Sequence, residues 1–429
     1  MILQWIGPVA THRLPKCSSG VFLMAVLGCL FAYPGSLTYG DERAGDERFD
    51  VDAKPRVVVL IGSDEDDPFW IQFAEFMNVA ADQLGLDVQF HFADGSLETM
   101  SSLVRAECER KVKPSCLVVQ SFKRGGLRFL RIANSYKVPV FLINSGLVSE
   151  QKEKAGEPRQ HLKYWIGEML PDDYGAGFDL ANSLIDEAKK NPNRLGPDGR
   201  VHVIALGGTV SHGASVHRTA GLMDAIDARS DEAVLDQLVS ADWKEGFARS
   251  RCRFLQRRYP DASVVWTAND QMAMGAIEAV RDRGLVPGDN LIVGGIDATR
   301  QAIDAIQEGS LTATVGGHFQ EGGWAAVVLH DYFNGLELSQ IPTHFTSPMR
   351  LITSENVDDY QKSLRAEQWQ RIDFKQFSKL DQPDSQAYHF QYDLPREDSQ
   401  SVNTQTSNTS TSTQIGEDRP SVESSSSDE

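Results

Sequence analysis

Apolar blocks alternate with polar segments along most of the chain, and one stretch shows this pattern most clearly. The run Val264–Thr267 has the length and β-branched content of a strand, and it is followed by Asn269 and Asp270. Apolar positions then recur at helical spacing before a second strand-like run, Leu291–Ile296, which is followed by Asp297. Polar side chains thus stand at the carboxyl ends of two successive strands, where open α/β sheets bind ligands.

The same alternation occurs in two runs separated by a charged loop, Ser145–Lys163. Further predicted strands are Arg56–Ile61, Asp87–Phe92, Cys116–Gln120, Pro139–Ile143, Val201–Ala205, Val234–Val239 and Leu311–Val315. Further predicted helices are Phe69–Leu84, Leu97–Cys108, Gly125–Tyr136, Tyr174–Lys189, His212–Ala228, Trp243–Tyr259, Thr299–Glu308 and Phe319–Asn334, with a last short element in Ile352–Tyr360. Strands that alternate with helices form parallel sheets, so we expect two similar doubly wound α/β domains.

The first 40 residues have the pattern of a secretory signal peptide. They contain basic residues and no acidic ones, then the apolar run Val21–Ala32, then small residues near Pro34. The run is shorter than the ~20 apolar residues that a membrane span needs. Cys29 leaves lipoprotein cleavage as an alternative, but we favour ordinary cleavage near Ser36–Gly40 and hence export to the periplasm.

Composition narrows the choice of partners. Asp and Glu number 60 against 42 Lys and Arg, which gives a net charge of −18 and argues against nucleic acid or an anionic membrane surface. From Asp381 the chain is rich in Ser, Thr, Asn, Gln, Asp and Glu, with no aromatic residue after Tyr392. Such a segment buries too little apolar surface to offset its chain entropy, so we expect residues 381–429 to be a disordered acidic tail.

The cysteines and the remaining motifs indicate no catalytic chemistry. Cys108 and Cys116 could form a local disulfide in an oxidising compartment, or, with Cys252, be small buried apolar residues. Gly207-Gly208-Thr209 follows a predicted strand, but neither a Walker lysine nor a GxGxxG spacing accompanies it. We therefore expect no metal site, no cofactor and no enzymatic activity.

Several motifs occur together, and in this order they resemble the type I periplasmic sugar-binding proteins, the ribose- and galactose-binding group. The resemblance covers about Arg56 to Tyr360. The motifs are D-D-P-F-W, P-V-F-L-I-N-S, H-R-T-A-G, A-D-W, T-A-N-D-Q-M-A-M-G-A, V-G-G-I-D-A-T, L-T-A-T-V-G-G and L-I-T-S-E-N-V-D-D-Y. The resemblance implies two α/β lobes joined by three hinge crossings, with lobe one at 56–165 plus 319–340 and lobe two at 166–318 plus 341–375. Ligand would bind in the cleft, and closure of the hinge would signal to a partner.

The resemblance also implies a set of ligand-binding residues. Phe69, Trp70 and Trp243 match positions where the family places aromatic rings against the apolar face of a sugar. Either Phe69 or Trp70 could instead be an ordinary core residue. The implied polar contacts, which suit hydroxyl groups that both donate and accept, are Asp67, Asn144, Arg218, Asn269 and Asp297. Arg218 and Asp297 could also be a simple ion pair, and Asn269 a helix cap.

Three departures from the family pattern leave the identity of the ligand open. Asn144-Ser145 stands where the family often has an Asp-Arg pair, and Gly317-His318 replaces a Gln near the last hinge. The connection Ser145–Lys163 is also long. His318 could add a ring to the cleft, or it could be an ordinary surface or core residue.

These observations predict a monomeric periplasmic protein that captures a small polar ligand, with a sugar as our first expectation. The resemblance implies delivery to an ABC-type permease in the inner membrane. The alternative is a sensory receptor of the same fold that signals to a membrane histidine kinase or chemoreceptor. A transcription regulator with this core would need an N-terminal helix-turn-helix, and the signal sequence occupies that place.

Overall fold

The computed structural model describes residues 54–380 and 387–390. The predicted signal peptide, Cys29 and most of the predicted tail lie outside these residues. Within them the strands are β1 (Arg56–Ile61), β2 (Asp87–Phe92), β3 (Cys116–Gln120), β4 (Val140–Ile143), β5 (Trp165–Pro171), β6 (Val201–Gly207), β7 (Ala233–Ser240), β8 (Ala262–Thr267), β9 (Ile292–Asp297), β10 (Ala313–Gly316), β11 (His344–Ser347) and β12 (Arg350–Thr353).

Helices separate most of these strands, as the hydrophobic spacing predicts. They are α1 (Pro68–Leu84), α2 (Leu97–Glu109), α3 (Gly126–Ser135), α4 (Ser149–Ala155), α5 (Asp173–Lys189), α6 (Gly213–Ala228), α7 (Glu245–Arg258), α8 (Asp270–Arg281), α9 (Arg300–Gln307), α10 (Glu321–Phe333), α11 (Val357–Ser363) and α12 (Ala366–Trp369). In the described part of the chain, no helix is both long and apolar enough to cross a bilayer.

The strands form two six-stranded sheets with the same kind of strand order. The first runs β11-β5-β4-β3-β1-β2 and the second β12-β10-β9-β8-β6-β7. Neighbouring strands pair in parallel except β10 and β12, which are antiparallel. Residues Val57–Ile61 of β1 are fully buried, because helices cover both faces of the sheet. The predicted pair of doubly wound α/β lobes is therefore confirmed.

The division between the lobes differs from the expected one. We expected lobe one to end at Trp165 and lobe two to begin again at 341, but β5 and β11 both belong to the first sheet, where they pair with each other. The second sheet is joined by β12 at its edge. Crossings therefore lie after Pro171, near Gly317, and between Ser347 and Arg350.

A fourth crossing follows α11. The expected lobe-two segment ran to residue 375, yet residues 365–380, which we term the strap, pack against lobe one. Trp369 and Phe374 are fully buried, and the ring centroid of each lies 5.4 Å from that of Phe76 in α1. Asp331 in α10 accepts hydrogen bonds from the Ser378 hydroxyl and from the Lys379 backbone amide.

The structure also decides the expectations for the charged loop, the predicted tail and the cysteines. The charged loop after β4 contains the short helix α4. Within the predicted disordered tail, residues 387–390 are ordered: the Tyr388 hydroxyl donates to Asp331 at 2.8 Å, and the Phe390 ring stacks on Trp324 at 5.2 Å. The cysteines at 108, 116 and 252 are buried free thiols, so the interpretation as buried apolar residues holds and the disulfide does not.

Candidate functional site

The carboxyl ends of the strands in both sheets surround a cavity of about 350 Å³ that lies between the lobes. Every side chain that the sequence predicted for ligand binding lines this one cavity: Asp67, Phe69, Trp70, Asn144, Arg218, Trp243, Asn269 and Asp297. Their neighbours in the wall include Gln120, Phe122, Lys123, His212, Lys244 and His318.

The wall of lobe one is built by the start of α1. Asp67 caps this helix by accepting a hydrogen bond from the Phe69 amide at 3.0 Å, and its other oxygen accepts from the Ser63 hydroxyl at 2.7 Å. Pro68 occupies the first helical position, so Phe69 and Trp70 stand in the first turn. Their rings meet edge to face at 5.0 Å and are almost fully buried. Both residues therefore line the cavity and belong to the core.

Trp243 forms the facing wall on lobe two. It adopts a φ of 65°, and its indole nitrogen donates to Nδ1 of His212 at 2.9 Å. A Cβ on Gly208 would lie 2.1 Å from the Trp243 ring, so only glycine leaves room for the indole in this position. The Gly207-Gly208-Thr209 loop thus packs against an aromatic ring. This contact explains the glycine at position 208, and a phosphate-binding role is not needed to explain it.

Arg218 connects the polar groups at the base of the cavity. Its guanidinium donates to Asp173 at 2.7 Å, to the Ala268 carbonyl at 2.7 Å and to Asp297 at 3.0 Å. The charge also lies 5.8 Å from the centroid of the Trp243 ring. Burial raises the pKa of Asp297 well above its usual range, against the opposing effect of Arg218. The ion pair suggested as an alternative is present, and both partners also face the cavity.

Strand ends give the remaining polar residues their positions. The Asn269 side-chain oxygen caps α8 by accepting from the Met272 amide at 3.0 Å, so the cap interpretation is correct and leaves the amide nitrogen outside the cap. Asn144 and Asp297 follow or end their strands with φ values of 62° and 129°. Residues other than glycine rarely adopt positive backbone φ angles, and such strained positions concentrate at functional sites.

Two histidines complete the walls. His318 is buried, and its ring stacks on Phe69 at a centroid distance of 4.5 Å, so it does add a ring to the cleft. His212 lies between Trp243 and Phe122, with its ring 4.8 Å from that of Phe122. Sequence analysis placed His212 at the start of a predicted helix and Phe122 after a predicted strand, and selected neither for the site. The rule that loops after parallel strands face the crevice would have selected both.

Two ion pairs join the lobes, and the first of them lies in the wall of the cavity. Lys244, which precedes α7, pairs with Asp64 in the loop after β1. Arg300 at the start of α9 pairs with Glu75 of α1 at 2.8 Å. Side chains of opposite charge therefore connect the two lobes across the cleft. Among the described residues, no group of His, Cys, Asp and Glu side chains is arranged to hold a metal ion.

A cavity enclosed by two doubly wound lobes, with aromatic walls and hydrogen-bonding groups at its base, is the architecture of a two-lobed solute-binding protein. The chain belongs to the periplasmic binding protein family: residues 57–337 match the model of the periplasmic binding protein domain. Its resemblance to the type I sugar-binding members is confirmed by the relatives and structures that match it.

The relatives are distant but consistent. The galactofuranose-binding protein of Escherichia coli K12 is 25% identical over 194 residues, 43% of this chain and about half (54%) of that protein. The ribose import binding protein of Salmonella typhimurium is 25% identical over 263 residues, 60% of this chain and 78% of that protein. A solved periplasmic sugar-binding protein from Pseudomonas fluorescens matches with a TM-score of 0.69 and 29% identity, over 78% of this chain and 98% of that one.

A fourth match shows the same fold. The structure of a solute-binding protein from Actinobacillus succinogenes with bound D-allose has a TM-score of 0.62 and 20% identity, over 72% of this chain and all of that one.

Proposed function

We propose that this chain binds a small uncharged sugar in the interlobe cavity and delivers it to an ABC-type permease in the inner membrane. The observation that carries the proposal is the convergence of two aromatic walls, Phe69 and Trp70 on one lobe and Trp243 on the other, with Arg218 and Asp297 between them. Aromatic faces suit the C–H face of a sugar ring, and charged side chains bond its hydroxyl groups.

The charges around the cavity favour an uncharged ligand. Three cationic side chains line it, and each is already engaged: Arg218 by its two aspartates, Lys244 by Asp64, and Lys123 by the Gly95 carbonyl at 2.7 Å. To pair with Arg218 or Lys244, an anionic ligand would have to displace an aspartate. A sugar needs no counter-charge, so it can bind with these pairs intact.

The relatives support transport as the role of the bound state. Those named above include a ribose import binding protein, and another relative, from Paraburkholderia graminis, is a D-apiose import binding protein. Import of a sugar is therefore favoured over the sensory alternative. Export through the N-terminal signal pattern would bring the chain to the periplasm, where such a permease collects its substrate.

Strand pairing supports a revised division of the two lobes about the cleft. Lobe one takes residues 54–171, 318–347 and 365–380, and lobe two takes 172–317 and 348–364. Closure of these lobes would bring the wall at Phe69 against the wall at Trp243. The eight predicted residues would then contact the sugar from both sides.

A thermal-shift screen of the protein without its N-terminal leader tests this function. A ligand that binds only the folded state raises its apparent stability, by about 2.7 kcal/mol at a concentration of 100 Kd. We expect a shift from at least one of D-ribose, D-allose, D-galactose, L-arabinose, myo-inositol and furanose sugars. Calorimetry should then show affinity about 10- to 100-fold weaker in Asp297→Ala and Trp243→Ala.

The matched control is Phe254→Ala, since Phe254 is 58% exposed on α7 and does not line the cavity. It should bind like the wild type. A shift from amino acids and from no sugar would reject the sugar assignment. An unchanged affinity in both cleft variants would reject the cavity as the site.

A further inference from the structure

His212 is a cavity residue with an unsatisfied hydrogen-bonding atom. It directly precedes α6, is 8% exposed and lines the cavity. Its ring lies nearly parallel to that of Trp243, with centroids 6.0 Å apart and an angle of 25° between the planes, and it meets the Phe122 ring edge-on. The imidazole is therefore held by aromatic neighbours from both lobes.

The contact with Trp243 fixes which nitrogen of His212 carries the proton. An indole N–H can only donate, so Nδ1 of His212, which receives it at 2.9 Å, must hold a lone pair. The proton of the neutral ring then resides on Nε2. Burial lowers the pKa of His212 to about 4, the charge of Lys123 acts in the same direction, and Asp242 opposes it. The ring is thus neutral at pH 7.

Nε2 of His212 is buried and has no hydrogen-bond partner among the described residues. Buried donors are nearly always paired in native proteins, so an orphan donor in the wall of a cavity indicates that its partner comes from outside the chain. The polar atoms that a sugar offers are hydroxyl and ring oxygens, all of which can accept.

We propose that the Nε2–H group of His212 donates a hydrogen bond to one oxygen of the bound sugar and selects against sugars that carry an ammonium group at that position. The inference rests on the proposed function, because it requires a sugar in the cavity. An ammonium group can only donate, so it would face the N–H group of His212 with no acceptor between them. His212 is a specificity residue of lobe two, separate from the charged network at Arg218.

Calorimetry with substituted ligands tests this assignment. The probe is whichever of D-ribose, D-allose, D-galactose or L-arabinose gives the largest thermal shift, together with its single-position deoxy, deoxyfluoro and amino-deoxy analogues. In the wild type, we expect one deoxy position to weaken binding about 3- to 10-fold. The fluoro analogue at that position should lose less affinity than the deoxy analogue, and the amino analogue should lose the most affinity.

Two variants separate the hydrogen bond from packing. In His212→Phe the parent and that deoxy analogue should bind within about twofold of each other, because the donor is gone. His212→Gln should retain the preference, since its amide can accept from Trp243 and donate to the sugar. His217→Phe, an exposed residue on the same helix, should behave like the wild type.

The failures can be told apart. If no sugar binds the wild type, the proposed function fails and this inference fails with it. If sugars bind but His212→Phe keeps the wild-type ratio of parent to deoxy affinity at every position, only this inference fails. Nitrogen-15 NMR of the unliganded wild type gives an independent check at pH 7. A neutral ring protonated on Nε2 is expected, and a ring protonated on Nδ1 or on both nitrogens would overturn the assignment.

Discussion

Arg218 is the residue on which the charge balance of the cleft depends. It is 3% exposed, and the two carboxylates it holds, Asp173 and Asp297, are 5% and 7% exposed. A buried ion pair is often no more stabilising than an apolar replacement of the whole set, but removal of one partner leaves uncompensated buried charge. Arg218 therefore serves the fold as well as the site.

Replacing this arginine should cost more than ligand binding. We expect Arg218→Met to lower the free energy of unfolding by about 3–5 kcal/mol, because two buried carboxylates lose their counter-charge. Urea unfolding of the unliganded protein measures this loss. The double variant Arg218→Met/Asp297→Asn should regain part of it, since one of those charges is then removed. Equal stability of wild type and Arg218→Met would contradict the network described here.

At the scale of single elements, the strap is the part with the clearest energetic role. The guanidinium of Arg300 in lobe two lies 5.4 Å from the centroid of the Trp369 ring of the strap. Gln83 of α1 bonds the strap twice, donating to the Ile372 carbonyl and accepting from the Phe374 amide. The strap is therefore an integral layer of lobe one that also contacts lobe two.

Trp369 gives a direct test of that role. Truncation of a fully buried tryptophan costs about 3–5 kcal/mol, so Trp369→Ala should lower stability by that amount. Trp369→Phe should lose less, because it keeps a ring against Phe76. Phe377→Ala, a partly buried neighbour in the same segment, is expected to lie between them. Thermal and urea unfolding are the measurements, and a Trp369→Ala variant as stable as the wild type would mean that the strap does not pack in solution.

Helices and strands could be predicted from the sequence where their hydrophobic period is uninterrupted. They were missed where a charged residue is buried or where a strand has few apolar residues. β5 contains Glu168, which is 4% exposed because it bonds His344 of β11 at 2.9 Å. A charged residue in the middle of a short apolar run interrupts the pattern from which a strand is predicted. β11 itself is a four-residue edge strand with little apolar content. The strap depends on contacts with residues nearly 300 positions earlier, which no local pattern can show.

The candidate site was more predictable than the elements around it. The rule about strand ends and the motifs of the resembled family together point to Asn269 and Asp297 without any knowledge of packing. His212 follows β6 and is open to the same rule, but the sequence gives no sign of its proton position, which is set by Trp243. That tautomer is a property of two side chains brought together across 31 residues of sequence.

At the scale of the whole molecule, the lobes meet through few charged contacts, so closure should respond to charge. The Asp64–Lys244 pair is partly exposed, and such pairs contribute about 0.2–1 kcal/mol. Lys244→Glu removes that attraction and adds repulsion between the lobes. We expect it to weaken affinity for the sugar that binds the wild type by about 3- to 10-fold at low salt.

Salt and charge exchange provide the controls for this prediction. The loss should shrink at about 1 M NaCl, where the Debye length is about 3 Å. Asp64→Lys/Lys244→Asp should restore affinity by reversing the pair. Lys362→Glu, which disturbs an exposed pair with Asp359 inside lobe two, should leave affinity unchanged. A charge exchange that fails to restore binding would mean that these side chains act on the ligand directly.

The fourth crossing also has a consequence for how the chain folds. The sheet of lobe two, apart from the edge strand β12, comes from one continuous stretch between residues 201 and 316, so its pairings reach less far along the sequence than that of β5 with β11 in lobe one. Lobe one needs Trp369 and Phe374 to cover Phe76, and closing loops of that length is slow. Lobe two can therefore consolidate first, while the core of lobe one stays incomplete until the strap is in place. During that delay the aromatic face of α1 is exposed and prone to aggregation.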